Sequence, residues 1–371
     1  MNQTLVSYLS EYQFFDGLLA LFGGNMGLLT FTLFLAVAGA YVGLCATIGG
    51  LGTYAERKIS ADIQMRVGPN RVGPYGILQF LADGVKMIMK EDIMPRTADK
   101  MLFYLAPFLC LLGVFSTLAV FPFSAGFMLT DLNVGVFYLI AISSLVGVGV
   151  FLGGYASNSK WSMLGGMRGA SQIISYEIPV TLSVIAITLL AGGLSFGTIV
   201  GKQTGFIGNW FVFHNPFAFV AFFVYFIGAL AETNRAPFDL PEAESELVSG
   251  YHTEYTGMRF GFFALAEYVE VFVVCGVAAA LFLGGYNLPV EVNIDILPIQ
   301  FVQMSILMTK TLLLYYVVIW VRWTFPRLRV DQLMSICWKY LTPFAILNLV
   351  GCAVWAVLFE GRSLYQLLSG H

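Results

Sequence analysis

Charge is scarce in this chain: 11% of its 371 residues are charged, against roughly a quarter in soluble globular domains. With 58% apolar residues, it needs lipid around it, and neither a soluble enzyme nor a nucleic-acid-binding protein fits. Cysteine is thin as well. Cys45, Cys110, Cys275, Cys337 and Cys352 are scattered with no CxxC pair, which leaves no iron–sulfur or zinc motif. The three histidines, His214, His252 and His371, lie far apart, so no histidine-based metal or haem site is encoded, and the chain is expected to hold no redox centre. The first 27 residues contain no Lys or Arg and so lack the basic start of a secretory signal.

What is present in quantity is uncharged length. A hydrocarbon core of about 30 Å takes about 20 apolar residues, and stretches of that order run over 28–53, 101–121, 134–154, 178–200, 216–231, 263–284, 299–321 and 341–359. Before them, Leu5, Val6, Leu9, Phe14, Phe15, Leu18, Leu19 and Phe22 recur at loosely helical spacing, as in a helix lying in the membrane interface, with a frayed terminus as the alternative. The expected fold is an all-α polytopic membrane protein of about eight transmembrane helices, with an N-terminal interfacial helix and structured cytoplasmic loops. It forms a single membrane domain over 1–371, with an interfacial outer segment at 1–27, cytoplasmic loop one at 54–100 and acidic loop three at 232–262.

Of the 19 Lys and Arg residues, all but Lys202, Lys310 and Arg362 fall on one side of eight alternating spans. The positive-inside rule makes that side cytoplasmic and puts both termini outside. Trp320, Trp323 and Trp338 stand where an aromatic belt is expected. Loop one carries Gly68-Pro69-Asn70 and Gly73-Pro74, a double turn, followed by an amphipathic helix from Ile77 to Met89. Its basic residues suit either an electrostatic anchor to anionic lipid or a shaped docking surface.

Loop three sets Glu232, Asp239, Glu242, Glu244, Glu246, Glu254 and Glu267 against Arg235 and Arg259. Pro241 is placed to open a helix on which Glu242 and Glu246 share a face, with Glu244 about 200° round. A solvated acidic face is one reading. The other is a proton relay, because Glu232 and Glu267 sit at the ends of spans, Glu177 begins span four, and ionisable groups at membrane depth are functional candidates by default. Clustered carboxylates titrate as a coupled set, as proton transfer requires. Lys310 lies inside span seven, either snorkelling or acting as a switching partner for the carboxylates.

The stretches AERKISADIQMRVGPNRVGPYGILQFLADGVKM, ISYEIP, AETNRAPFDLPEAESELVSGYHTEY, ALAEY, TKTLLL and PRLRVDQLM, in that order, resemble the H subunits of respiratory complex I. The resemblance implies a heel subunit of a proton-translocating NADH:quinone oxidoreductase in the bacterial cell inner membrane. No catalytic or metal-ligating residue is implied in the heel itself. Its partners are the hydrogenase-like quinone-site subunit and small iron–sulfur subunit of the hydrophilic arm, small membrane-arm subunits leading to antiporter-like ones, quinone and lipid. FMN and the iron–sulfur clusters belong to partner subunits.

Carried over by motif, Glu56, Arg57, Lys58, Arg66, Arg71, Arg235, Phe238 and Asp239 are expected along the quinone tunnel. Glu177, Glu232, Asp239, Glu242, Glu244, Glu246, Glu254 and Glu267 are expected on the acidic proton path, with Lys310 beside it. Glu270 is not carried over. A secondary transporter would show paired interrupted helices, and none is found. The anchor subunit of membrane-bound hydrogenases shares the fold, but the intact loops one and three argue against it. A purely structural anchor has no need of eight carboxylates at span ends and in one loop.

Overall fold

The computed structural model describes residues 26–242, 244–288, 299–359 and 362–369. The N-terminal segment expected at the interface falls outside the described residues, as do Glu291 and Asp295. The chain divides into two units, Met1–Thr47 and Ile48–His371.

Helix α1, Met26–Ile63, begins in the first unit and ends in the second. Then come α2, Gln79–Met89; α3, Lys100–Ala119; α4, Gly135–Ala156; α5, Lys160–Ala191; α6, Pro216–Glu232; α7, Gly257–Phe282; α8, Ile299–Thr324; and α9, Val330–Leu358. Among the described residues, seven of these are long and apolar enough to cross a membrane, and α6 is a shorter apolar helix. The chain is a multi-pass, all-α membrane protein.

Several helices outrun the apolar windows read from sequence, because a helix continues past the lipid wherever its backbone bonds stay satisfied. Helix α5 begins at Lys160 rather than near 178, so Glu177 does not open a span but lies near the middle of 32 helical residues. Helix α7 likewise begins ahead of 263, which places Glu267 and Glu270 well inside it. Loop one is shorter than expected because α1 runs on to Ile63.

In the first unit, Phe31 and Phe34 are 59% and 68% exposed, as lipid-facing side chains are. In the second, α3, α4 and α5 approach through glycine. A Cβ on Gly149 would lie 2.4 Å from the Cys110 sulfur, and one on Gly154 would lie 2.8 Å from the Gly166 Cα. Small residues permit such contact where lipid leaves little hydrophobic drive between helices.

Helix α5 is tied to α9 by two side-chain hydrogen bonds to backbone carbonyls. Pro179 has no N–H, so the Ser175 carbonyl one turn earlier lacks its helical donor, and the Cys337 thiol donates to it at 3.1 Å. In α9, just before a π-helical turn at Ile336–Leu341, the Leu333 carbonyl accepts from the Ile336 N–H and also from the Tyr176 hydroxyl at 2.9 Å.

Candidate functional site

The loops that meet at one end of the bundle hold most of the charge. Glu56, in the last turns of α1, is 8% exposed. The Arg235 guanidinium donates to its Oε2 at 2.8 Å, and Arg322 of α8 donates to Oε1. Arg235 also lies over the Tyr268 ring, 4.3 Å from its centroid. Two cations on one buried carboxylate leave a local positive balance, and removing the carboxylate would leave both guanidinium groups without their counter-charge. Sequence reasoning did not include Arg322. Its signal was only a basic residue at the end of an apolar span, which reads equally well as an interfacial anchor.

The loop-one residues divide. Arg57 pairs with Asp83 of α2 at 2.5 Å. The Lys58 ammonium donates to the Asn70 side chain and to the Pro69 carbonyl at 3.2 Å, so it braces the double turn from within. Arg66 and Arg71 are exposed, among the projecting apolar side chains Met65, Val67 and Tyr75, each at least 80% exposed. Structure thus joins Glu56 to Arg235, while Arg57, Lys58, Arg66 and Arg71 hold or decorate loop one.

Loop three is fastened by Gln172 of α5, whose amide donates to the Ala231 carbonyl at 2.8 Å and to the Phe238 carbonyl at 2.7 Å. Phe238 was expected to face a chamber, but it is 5% exposed and packs edge-on against Tyr176 with centroids 5.6 Å apart. Its apolar ring is held in the protein core. Asp239 receives Arg327 at 2.9 Å, while its Oδ1 is buried without a hydrogen-bond partner. Burial pushes the Asp239 carboxyl above its ordinary range, against the pull of Arg327.

The shared face expected for Glu242 and Glu246 does not form. Pro241 and Glu242 occupy a turn, and the helix spans only Glu244–Leu247. Glu246 turns outward to Arg168 at 2.7 Å. Glu242 turns inward, where the buried Tyr251 hydroxyl reaches it at 3.3 Å and meets Glu267 of α7 at 2.8 Å. The closed geometry rests on Gly250. Its φ is +60°, and a Cβ there would fall 1.7 Å from the Pro241 carbonyl oxygen.

Burial raises the Glu242 carboxyl above its usual range, opposed by its hydrogen bond with Glu267. Burial also lifts the Tyr251 phenol, with the Glu267 and Glu242 charges adding to the effect. His252 stands 3.5 Å from Glu242, and burial lowers it from its ordinary value, against the Glu267 charge. Glu254 is half-buried, and the side chain of Glu244 falls outside the described residues.

Deeper in the bundle, Glu177 of α5, Glu232 of α6 and Glu270 of α7 line one cavity of about 40 Å³. At one probe sphere of roughly 10–15 Å³ per water, it has room for about three or four. Ser143 and Thr181 also line it.

Lys310 is elsewhere. Its ammonium donates to the carbonyls of Leu283 at 2.7 Å, Gly285 at 2.8 Å and Asn287 at 2.8 Å, and lies 4.2 Å from the Trp210 ring centroid. All three of its donors are used. Among the described residues Lys310 touches no carboxylate: it caps the far end of α7, where the last carbonyls attract a cation.

The family profile described as NADH dehydrogenase matches residues 35–353. The chain is 45% identical over 327 residues to the H subunit of the NADH-quinone oxidoreductase of Anaeromyxobacter dehalogenans, covering 84% of this chain and 79% of that one. It is 47% identical over 314 residues to the protein of the same name from Chlorobaculum tepidum, covering 82% and 87%. Against that of Bacteroides fragilis it is 45% identical over 334 residues, covering 87% and 91%. With Glu56, Arg235, the loop-three acids and the membrane helices all inside or overlapping the matched range, the chain belongs to the NADH dehydrogenase family, that of the H subunits of NADH-quinone oxidoreductases.

Proposed function

We propose that this chain is the membrane-arm heel subunit of a proton-translocating NADH:quinone oxidoreductase, walling much of the quinone tunnel and carrying the acidic path that couples quinone reduction to proton pumping. The observation that carries this reading is an apolar cavity beside the last turns of α1, bordered by Tyr54 and Tyr315. About 410 Å³ in volume, it is lined by Leu51, Gly52, Phe272, Met308, Leu312 and Tyr315. Gly52 leaves room for the Tyr315 hydroxyl, which would be 2.8 Å from a Cβ at that position. Ala55 also lines the cavity, and the next residue is Glu56, held by Arg235 and Arg322.

Size, apolar lining and a few polar groups are what an amphipathic ligand with a hydrocarbon tail and a carbonyl-bearing head requires. In this reading the chain guides the quinone while partner subunits carrying FMN and iron–sulfur clusters deliver the electrons. The exposed Arg66 and Arg71, with Met65, Val67 and Tyr75, support loop one as the surface that receives the hydrophilic arm.

Charge then explains coupling. Reduction of the quinone places negative charge near Arg235. This weakens the Arg235 hold on Glu56 and raises the proton affinity of nearby acids. Asp239 and Glu242, with carboxyls already raised by burial, are the loop acids placed to respond. Tyr251 joins Glu242 to Glu267, and from there the acids of α5, α6 and α7 lead into the bundle. Membrane orientation with both termini outside follows from the one-sided Lys and Arg distribution.

Labelling the assembled enzyme with a photoreactive quinone tests the tunnel. Label is expected in residues 48–55 or 308–315. Met308→Trp, which fills the cavity, should lower labelling and NADH:quinone turnover together while NADH:ferricyanide reduction persists. Unchanged labelling in that variant would remove the cavity from the quinone's route.

A further inference from the structure

The loop acids and the cavity acids lie on different elements, and one residue stands between them. Glu267 and Glu270 are three positions apart on α7, so they share a face with roughly 5–6 Å between Cβ atoms. Glu267 meets Tyr251, and through it Glu242. Glu270 lines the cavity with Glu177 and Glu232.

Three further observations bear on the role of Glu270. It is 8% exposed, it makes no hydrogen bond to the protein among the described residues, and it borders both the larger cavity and the small void continuous with Ser143 and Ser144. A buried carboxyl without a protein partner costs several kcal/mol if ionised, so it needs a proton or a solvated space. The cavity supplies the space.

We infer that Glu270 is the proton-carrying link between the loop acids Glu242 and Glu267 and the membrane acids Glu232 and Glu177, acting across the small cavity between α4, α5, α6 and α7. The inference rests on the acidic-path reading above and adds to it a residue that the family motifs do not mark. A proton leaves the Glu267 carboxyl and Glu270 takes it, so that Glu267 becomes the carboxylate and Glu270 the acid. Glu270 then gives the proton to the Glu232 carboxylate and returns to its ionised form. One positive charge moves inward along α7, and no electron is exchanged. The hydroxyls of Ser143 and Thr181 line the same space and can both donate and accept along the way.

The test uses the complete enzyme in proteoliposomes, with Glu270 changed to Gln, Asn and Asp and with Glu232→Gln alongside. Assembly is judged by NADH:ferricyanide activity. The neutral variants should lose coupled NADH:quinone turnover and proton uptake by about tenfold or more, in the range typical of a lost proton-transfer group. Glu270→Asp should restore most of both, a recovery that simple space-filling would not produce. Redox-difference infrared spectra should lose a protonated-carboxyl band in Glu270→Gln or Glu270→Asn and keep it in Glu270→Asp. If Glu232→Gln fails while either neutral Glu270 variant pumps normally, Glu270 is not the link and the path runs without it. If Glu232→Gln also pumps normally, the acidic path itself is wrong.

Discussion

The Arg235 guanidinium donates to the Glu56 carboxylate at 2.8 Å, joining residues 179 positions apart in the chain. This contact fixes loop three to the end of α1, with Arg322 arriving on the other carboxylate oxygen. Removing the carboxylate leaves two guanidinium groups facing one another with reduced compensation.

Glu56→Gln is therefore expected to destabilise the subunit by about 3–5 kcal/mol, the range for breaking a buried charge pair from one side. Arg235→Lys retains charge but loses the planar group that lies on Tyr268, and should reduce quinone turnover with a smaller stability loss. Yield of assembled complex and its thermal midpoint check both.

Tyr251→Phe removes only the hydroxyl between Glu242 and Glu267. Two buried carboxyls lose a partner, at a cost of about 1–3 kcal/mol, and turnover coupled to pumping should fall more than turnover measured with the gradient collapsed by an uncoupler. Comparing the two rates in the variant is the check.

Glu242 gives stability a pH dependence with a definite sign. Its folded-state carboxyl is raised above an unfolded value of about 4.3, so the folded state binds the proton more tightly. That contribution is fully present below the unfolded value and is lost as pH rises through the folded one. Asp239 has the same sign. His252, lowered in the folded state, acts oppositely: its contribution is present above an unfolded value of about 6.5 and is lost as pH falls. Glu267, Arg235 and Tyr251 also face Glu242. Glu242→Gln should flatten the loss of thermal midpoint on the alkaline side, measured on the complex in nanodiscs.

Lys310→Met is predicted to separate structure from coupling. Three carbonyls lose their shared cation, and stability should drop by about 2–3 kcal/mol, as for hydrogen bonds to a charged group. The number of protons moved per electron in surviving enzyme should stay unchanged, because the Lys310 ammonium is spent on backbone carbonyls rather than on an acid. A changed ratio measured in proteoliposomes would return Lys310 to the proton path.

Much of this architecture was legible in the sequence. The helices were visible because lipid imposes a minimum apolar length, and the α8–α9 end because Trp320, Trp323 and Trp338 cluster there, all at least 40% exposed. Helix ends were less visible. Polar residues such as Lys160 and Arg168 extend α5 beyond the lipid without any apolar signal, and this displaced Glu177 from a span end to mid-helix. Partners across loops were hidden altogether: the Arg322 and Arg327 contacts with Glu56 and Asp239 depend on a fold that brings distant loops together. Pro241 was read as a helix start, but Gly250 turns back against its carbonyl and holds it in a turn. Lys310 looked like a buried charge in search of an acid, and backbone carbonyls, which a sequence cannot display, take that role.

The most direct measurement of the central claim is the rate of proton uptake, taken together with that of NADH:quinone turnover, in proteoliposomes containing the assembled enzyme with Glu232→Gln in this subunit. Glu232 sits on the cavity at the inner end of the acid series and is not among the residues lining the apolar cavity assigned to quinone. The account predicts that NADH:ferricyanide activity and assembly persist while proton uptake and coupled quinone turnover collapse together. Undiminished rates of proton uptake and coupled quinone turnover in that variant would contradict the claim that this chain carries the coupling path.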